Sequence, residues 1–288
     1  MFFQENALTG ICFLIGIALS SPLMAAGALG GSIIGTITAR LLRFDRSELE
    51  AGIYGFNATL VGIAVFFFFR PEALPIGLMV LGCGVSTVVT WLMRRYLPFP
   101  TYTTPFIVTT WAIYFLGLAL GAPQTGPGIP VGSASWVVAV ADGIGQVMFQ
   151  ASVWTGGFFL LGIALNDWRH ALWVLTGAVI GVLVADYEVE AAVHSVDPER
   201  LIRQVMIEKI SLGLYGYNAT LTAVALYLWR RSLIPPILGI LISVPLSEAF
   251  PWLGLPELTA PFVLATWSVL ALGWLESRYL DPPGSAVA

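Results

Sequence analysis

The sequence predicts an all-α polytopic membrane protein made of two homologous halves. Three observations carry this. Apolar residues make up 57% of the 288 residues and charged residues 10%, whereas a soluble domain carries roughly a quarter charged. So few charges cannot cover a water-facing surface, and the surface must meet lipid. The chain is also written twice. QENALTGICFLIGIAL (4–19) recurs as QASVWTGGFFLLGIAL (150–165), IYGFNATLVGIA (53–64) as LYGYNATLTAVA (214–225), and TTPFIVTTW (103–111) as TAPFVLATW (259–267). Each half, finally, holds five apolar stretches.

In chain order these stretches are 6–20, 22–42, 51–69, 73–93 and 104–121, then 148–165, 171–185, 210–229, 232–247 and 260–276. A span needs about 20 residues, so several are short. The 30 glycines and 18 prolines suit close packing and broken helices. The repeats are bounded as 1–121 and 148–288, with a linker carrying an interfacial segment at 122–147. An odd number of spans per half inverts the second half. With the N-terminus inside, Arg40, Arg43, Arg46, Arg94, Arg95, Arg169, Arg230, Arg231 and Arg278 fall inside, and Arg70, Arg200, Arg203 and Lys209 outside. This nine-to-four split of the 13 basic residues favours an inverted repeat with both termini cytoplasmic. Cys12 and Cys83 lie inside apolar runs and read as small packing residues. No basic n-region precedes a cleavage site, so no signal peptide is expected.

Asp142, Glu188, Glu190, Glu208, Glu248, Glu257 and Glu276 fall at span ends or in loops, and His170 and His194 in loops. Glu257 reads as a solvated loop acid near Thr259. A proton-coupled carrier would need ionisable groups at midplane, and none is legible. No metal set, nucleophile elbow, phosphate loop or basic aromatic patch is present, which argues against an enzyme, a cofactor and a nucleic-acid partner.

Thr103 and Thr259 each precede a proline by two residues, Pro105 and Pro261. Proline suits a helix's first turn, so each threonine sits at or just before a helix start. Taken alone, each reads as a cap for free N–H groups. Asn57 and Asn218 stand at glycine-flanked breaks, where asparagine locks turns by bonding neighbouring backbone. That scaffold role is preferred to ligand contact.

The repeated YGFNATLVG/YGYNATLTA block, the repeated proline–threonine block and GQVMF (145–149) together resemble the urea transporter family in its bacterial form, over nearly the whole chain. The resemblance implies a homotrimer with a pore in each subunit, ten spanning helices plus two re-entrant half-helices, and channel-like urea transport without ion coupling, in the cell inner membrane. It places slot aromatics at Phe3, Phe56, Phe149 and Tyr217, with Leu60 and Leu221 one turn beyond Phe56 and Tyr217. It places the central constriction, a selectivity filter, at Thr103 and Thr259, and a pore-mouth acceptor at Gln146, followed by Val147. Urea has four N–H donors and one carbonyl, so a dry pore must offer acceptors along one edge and apolar planes above and below. A carrier, or a pore for another small neutral amide or ammonia, stays open as an alternative. The first-half counterpart of Gln146 would lie one residue before Met1, and the expectation is that the native protein starts upstream.

Overall fold

The computed structural model describes residues 2–126, 135–193, 214 and 216–279. Arg200, Arg203, Lys209, Glu208 and His194 lie outside the described residues, as do the side chains of Glu188 and Glu190. Among the described residues the architecture is helical. The first half holds α1 (Ala7–Ser20), α2 (Pro22–Leu41), the short α3 (Arg46–Glu50), α4 (Ile53–Phe68), α5 (Ala73–Tyr96) and α6 (Thr104–Ala119). The second holds α7 (Trp136–Gln146), α8 (Val153–Asn166), α9 (Trp168–Val193), α10 (Gly216–Trp229), α11 (Ile234–Ala249) and α12 (Ala260–Tyr279). A helix stands at each of the ten apolar stretches.

Local chemistry sets the boundaries. Asn6 caps α1, accepting from the Leu8 and Thr9 N–H groups, and Ser21 caps α2 ahead of Pro22. Gly52 enters α4 at φ +74°, a conformation that suits glycine. Among the described residues three helices are long and apolar enough to cross a bilayer: α2, α5 and α12. Their neighbours are apolar but shorter. Outward faces carry helical stripes of large apolar residues, such as Leu8, Ile11, Ile15 and Leu19 on α1 and Leu29, Ile33 and Ile37 on α2. Exposed apolar stripes at helical spacing mark contact with lipid or with another protein surface.

The buried centre is α4 and α10. Every α4 residue from Asn57 to Phe66 is buried, and so is every α10 residue from Gly216 to Leu226. α2 packs on α4, and α9 on α10. The α2–α4 approach requires glycine: a Cβ on Gly62 would stand 2.1 Å from the Gly27 carbonyl oxygen, and one on Gly31 2.3 Å from that of Ala58.

The halves interlock through reciprocal contacts. Thr9 Oγ1 donates to the Gly162 carbonyl at 2.7 Å, and Thr155 Oγ1 to the Gly16 carbonyl at 2.7 Å. Trp111 Nε1 donates to the Pro256 carbonyl at 2.7 Å, and Trp267 Nε1 to that of Pro100 at 2.8 Å. Each pair joins positions that correspond in the two sequence repeats.

Three expectations are corrected. Asp142 is in neither a loop nor a span end. It lies within α7, 6% exposed, and its Oδ1 has no hydrogen-bond partner. α7 packs on α8, α9 and α10 and buries Ala139, Asp142 and Gly143–Gly145. His170 belongs to the first turn of α9, within reach of Gln4 and Asp167. Glu257 is not a freely solvated loop acid, because the buried Asn218 amide donates to its Oε1 at 2.7 Å.

Candidate functional site

The site grows from two loops that each lead into a helix start, one per half. In the first, the loop after α5 reaches Tyr102 at φ +45°, passes Thr103 and turns into α6, with Pro105 in its first turn. In the second, Leu258 at φ +49° leads through Thr259 into α12, with Pro261 in its first turn. Phe3 and Phe149 also stand at positive φ, +57° and +61°. Such backbone costs bulky residues about 1–3 kcal/mol each and persists where the surroundings over-determine it.

Around Tyr102 and Leu258 a pair of asparagines restrains it. Asn57 Oδ1 accepts from the Phe106 N–H at 3.3 Å, while its Nδ2 donates to Thr90 Oγ1 and the Tyr102 carbonyl, both at 3.4 Å. Asn218 Oδ1 accepts from the Phe262 N–H at 3.1 Å, and its Nδ2 donates to Ser247 Oγ at 3.1 Å and to Glu257. Both side chains are fully buried. Each one ties a loop and a helix start to the central helix, the bonding a scaffold residue needs.

The two loops meet at the threonines. Thr103 Oγ1 and Thr259 Oγ1 lie 2.7 Å apart, buried, with either able to donate. Thr103 is the N-cap of α6 yet makes no side-chain cap bond, so the plain capping role does not describe it. Both hydroxyls line a cavity of about 530 Å³. Phe3, Phe56, Leu60, Val147 and Leu221 line it too, together with Tyr102 and Met148, which sequence reasoning did not assign. Tyr102 stands next to Thr103 in the sequence, and Met148 stands between two assigned residues, so adjacency was the available signal.

The aromatic packing is reciprocal. Phe3 lies 6.1 Å from Phe262, and Phe149 lies 6.3 Å from Phe106, ring to ring. Phe262 and Phe106 hold equivalent places after Pro261 and Pro105. Gln146, Phe149 and Tyr217 do not line this cavity. Gln146 ends α7 half-buried. Phe149 packs on Phe67 and Phe68, and the Tyr217 hydroxyl is bonded to the Leu258 carbonyl.

The arrangement therefore offers a mostly apolar cavity with a pair of hydroxyls on its wall. α6 and α12 both begin at that pair, so the partial positive ends of two helix dipoles face it. Against known proteins, the profile of the urea transporter family matches residues 1–273. The chain belongs to the urea transporter family. It is thus a membrane transport protein and not an enzyme. It is 26% identical over 303 residues to urea transporter 1 of sheep (Ovis aries), covering 94% of this chain and 73% of that protein. It is 29% identical over 246 residues to urea transporter 1 of the mouse (Mus musculus), covering 78% of this chain and 59% of that one.

Proposed function

We propose that this chain conducts urea passively, down its gradient, through a pore between two inverted repeats, with Thr103 and Thr259 as its selectivity filter. The paired hydroxyls at 2.7 Å on the cavity wall carry the reading. Two hydroxyls in contact can exchange their mutual bond for bonds to a planar solute, accepting from its N–H groups or donating to its carbonyl. Phe3 and Phe56 supply flat apolar walls, and Leu60, Leu221 and Val147 exclude water. The helix starts oppose a cation at this point without adding a fixed charge, which favours a neutral amide over ammonium. Asn57 and Asn218 hold the re-entries in place. Gln146, Phe149 and Tyr217 shape the approach on the second-half side.

The reciprocal tryptophan and threonine bonds support the inverted repeat. The distribution of arginines supports cytoplasmic termini. Exposed apolar stripes support contact with the lipid of the cell inner membrane. The homotrimer follows from the family resemblance.

Purified protein in liposomes, followed by stopped-flow light scattering, tests the mechanism. Urea efflux is expected to follow its own gradient and to be indifferent to imposed proton or sodium gradients. Uptake of urea against its gradient, driven by either ion, would overturn it. Parallel acetamide and ammonia gradients separate urea from its analogues.

A further inference from the structure

Phe3 and Phe149 hold equivalent places in the repeats, and both stand in left-handed backbone. A glutamine follows each, Gln4 or Gln150. Both glutamines are buried, which is uncommon for this residue type. Their side chains turn back on the chain in the same way. Gln4 Nε2 donates to the Phe2 carbonyl at 2.7 Å, and Gln150 Nε2 to the Met148 carbonyl at 2.8 Å. Each bond closes a ring round the phenylalanine between donor and acceptor. A bulky residue keeps positive φ only where its surroundings over-determine it, and this ring is such a restraint.

Each glutamine is braced from the other repeat. Asn166, at the end of α8, donates to Gln4 Oε1, and His170 Nδ1 lies 3.3 Å from Gln4 Nε2. Gln150 Nε2 also donates to Met24 Sδ at 2.9 Å. Met24 is the third residue of α2 and His170 the third of α9, so the braces correspond as the glutamines do. In the first half the restrained ring reaches the cavity. Phe3 lines it and packs on Tyr102 at 5.8 Å and Phe262 at 6.1 Å, ring to ring. Tyr102 adjoins Thr103, and Phe262 lies one turn beyond Thr259.

We propose that Gln4 is a positioning residue that sets the width of the passage beside the threonine pair by holding Phe3. The inference rests on the pore reading above. A thioether in place of the amide fills similar space but cannot donate to the Phe2 carbonyl. Phe3 is then free to leave its positive φ and to draw its ring away from Tyr102 and Phe262. The passage loses its fit to a flat, narrow solute and discriminates less against a wider one.

The test is Gln4→Met in liposomes, with urea and N-methylurea fluxes measured side by side. Methylurea keeps the chemistry of urea and adds one methyl group. One net hydrogen bond corresponds to a fall of about 2- to 12-fold in the urea-to-methylurea flux ratio. In a Phe3→Leu background, Gln4→Met should move the ratio no further, because a residue acting through another is not additive with it. Asn166→Ala removes a brace at an exposed position and should lower the ratio in the same direction. It decides the matter if Gln4→Met fails to insert. An unchanged ratio in whichever of these two variants inserts overturns the proposal, and so does an undiminished shift in the Phe3→Leu background. Failure of the wild-type protein to pass urea overturns the pore reading instead, so the two failures are distinguishable.

Discussion

Replacing both central threonines separates stability from transport. Thr103 and Thr259 are 6% and 3% exposed and share one bond of 2.7 Å. Thr103→Val alone strands the Thr259 hydroxyl, a buried group without its partner, and costs about 1–3 kcal/mol of stability. Thr103→Val with Thr259→Val removes both polar groups at nearly constant volume. Such paired replacement is close to neutral for folding, so the double variant should melt near the wild type. Urea in the double variant meets an apolar constriction and has nothing to replace the water it sheds. One unmade bond of about 1–3 kcal/mol slows passage by about 5- to 150-fold. Stopped-flow urea efflux gives the rate, and thermal unfolding in detergent gives the stability. Wild-type flux in a well-folded double variant would refute the filter, and so would flux recovering together with stability from single to double variant.

Gly62→Ala should destabilise by about 1–3 kcal/mol through overpacking, because its Cβ would meet the Gly27 carbonyl at 2.1 Å, whereas nothing lies within 4 Å of one on Gly77. Gly77→Ala should therefore be neutral or stabilising by about 0.5–1 kcal/mol, and thermal melts of both variants check the contrast. Glu48 lies outside the spans. Burial pushes its carboxyl upward, but hydrogen bonds from Arg94 and Tyr54 together hold it below the ordinary 4.5. A carboxyl lowered on folding contributes stability above 4.5, and that contribution is lost as pH falls through the folded value. Glu48→Gln should thus lower the melting temperature at neutral pH and flatten its dependence on acid. An equal acid slope in both proteins would contradict this.

The repeat marked out paired positions, and the family resemblance gave them roles. Each threonine before X-Pro reads alone as a cap; the resemblance put the two at one place, and their hydroxyls lie 2.7 Å apart. Phe56 came from the same resemblance and Leu60 from the helical turn beyond it, and both line the cavity. The asparagines followed from their glycine-flanked breaks. Polar residues on short segments were harder. Asp142 and Glu257 looked like ordinary water-facing acids, because hydropathy reports length and apolarity but not which neighbour closes over a turn. Burial of Asp142 comes from α8, α9 and α10 packing on α7, and the tethering of Glu257 comes from an amide 39 residues away. The fate of the Tyr217 hydroxyl was likewise unreadable, since its acceptor is a backbone carbonyl and any residue type would serve.

The crossed indole bonds bear on biosynthesis. The Pro100 carbonyl waits for Trp267, which is 167 residues further along the chain. At about 5–20 residues per second of synthesis, that wait lasts roughly 10–30 s after the first loop is made. Thr103 lacks its companion for nearly as long. The first repeat therefore waits with this loop unlatched while the second is being made, and the loop can reach its final place only once Trp267 has been synthesised.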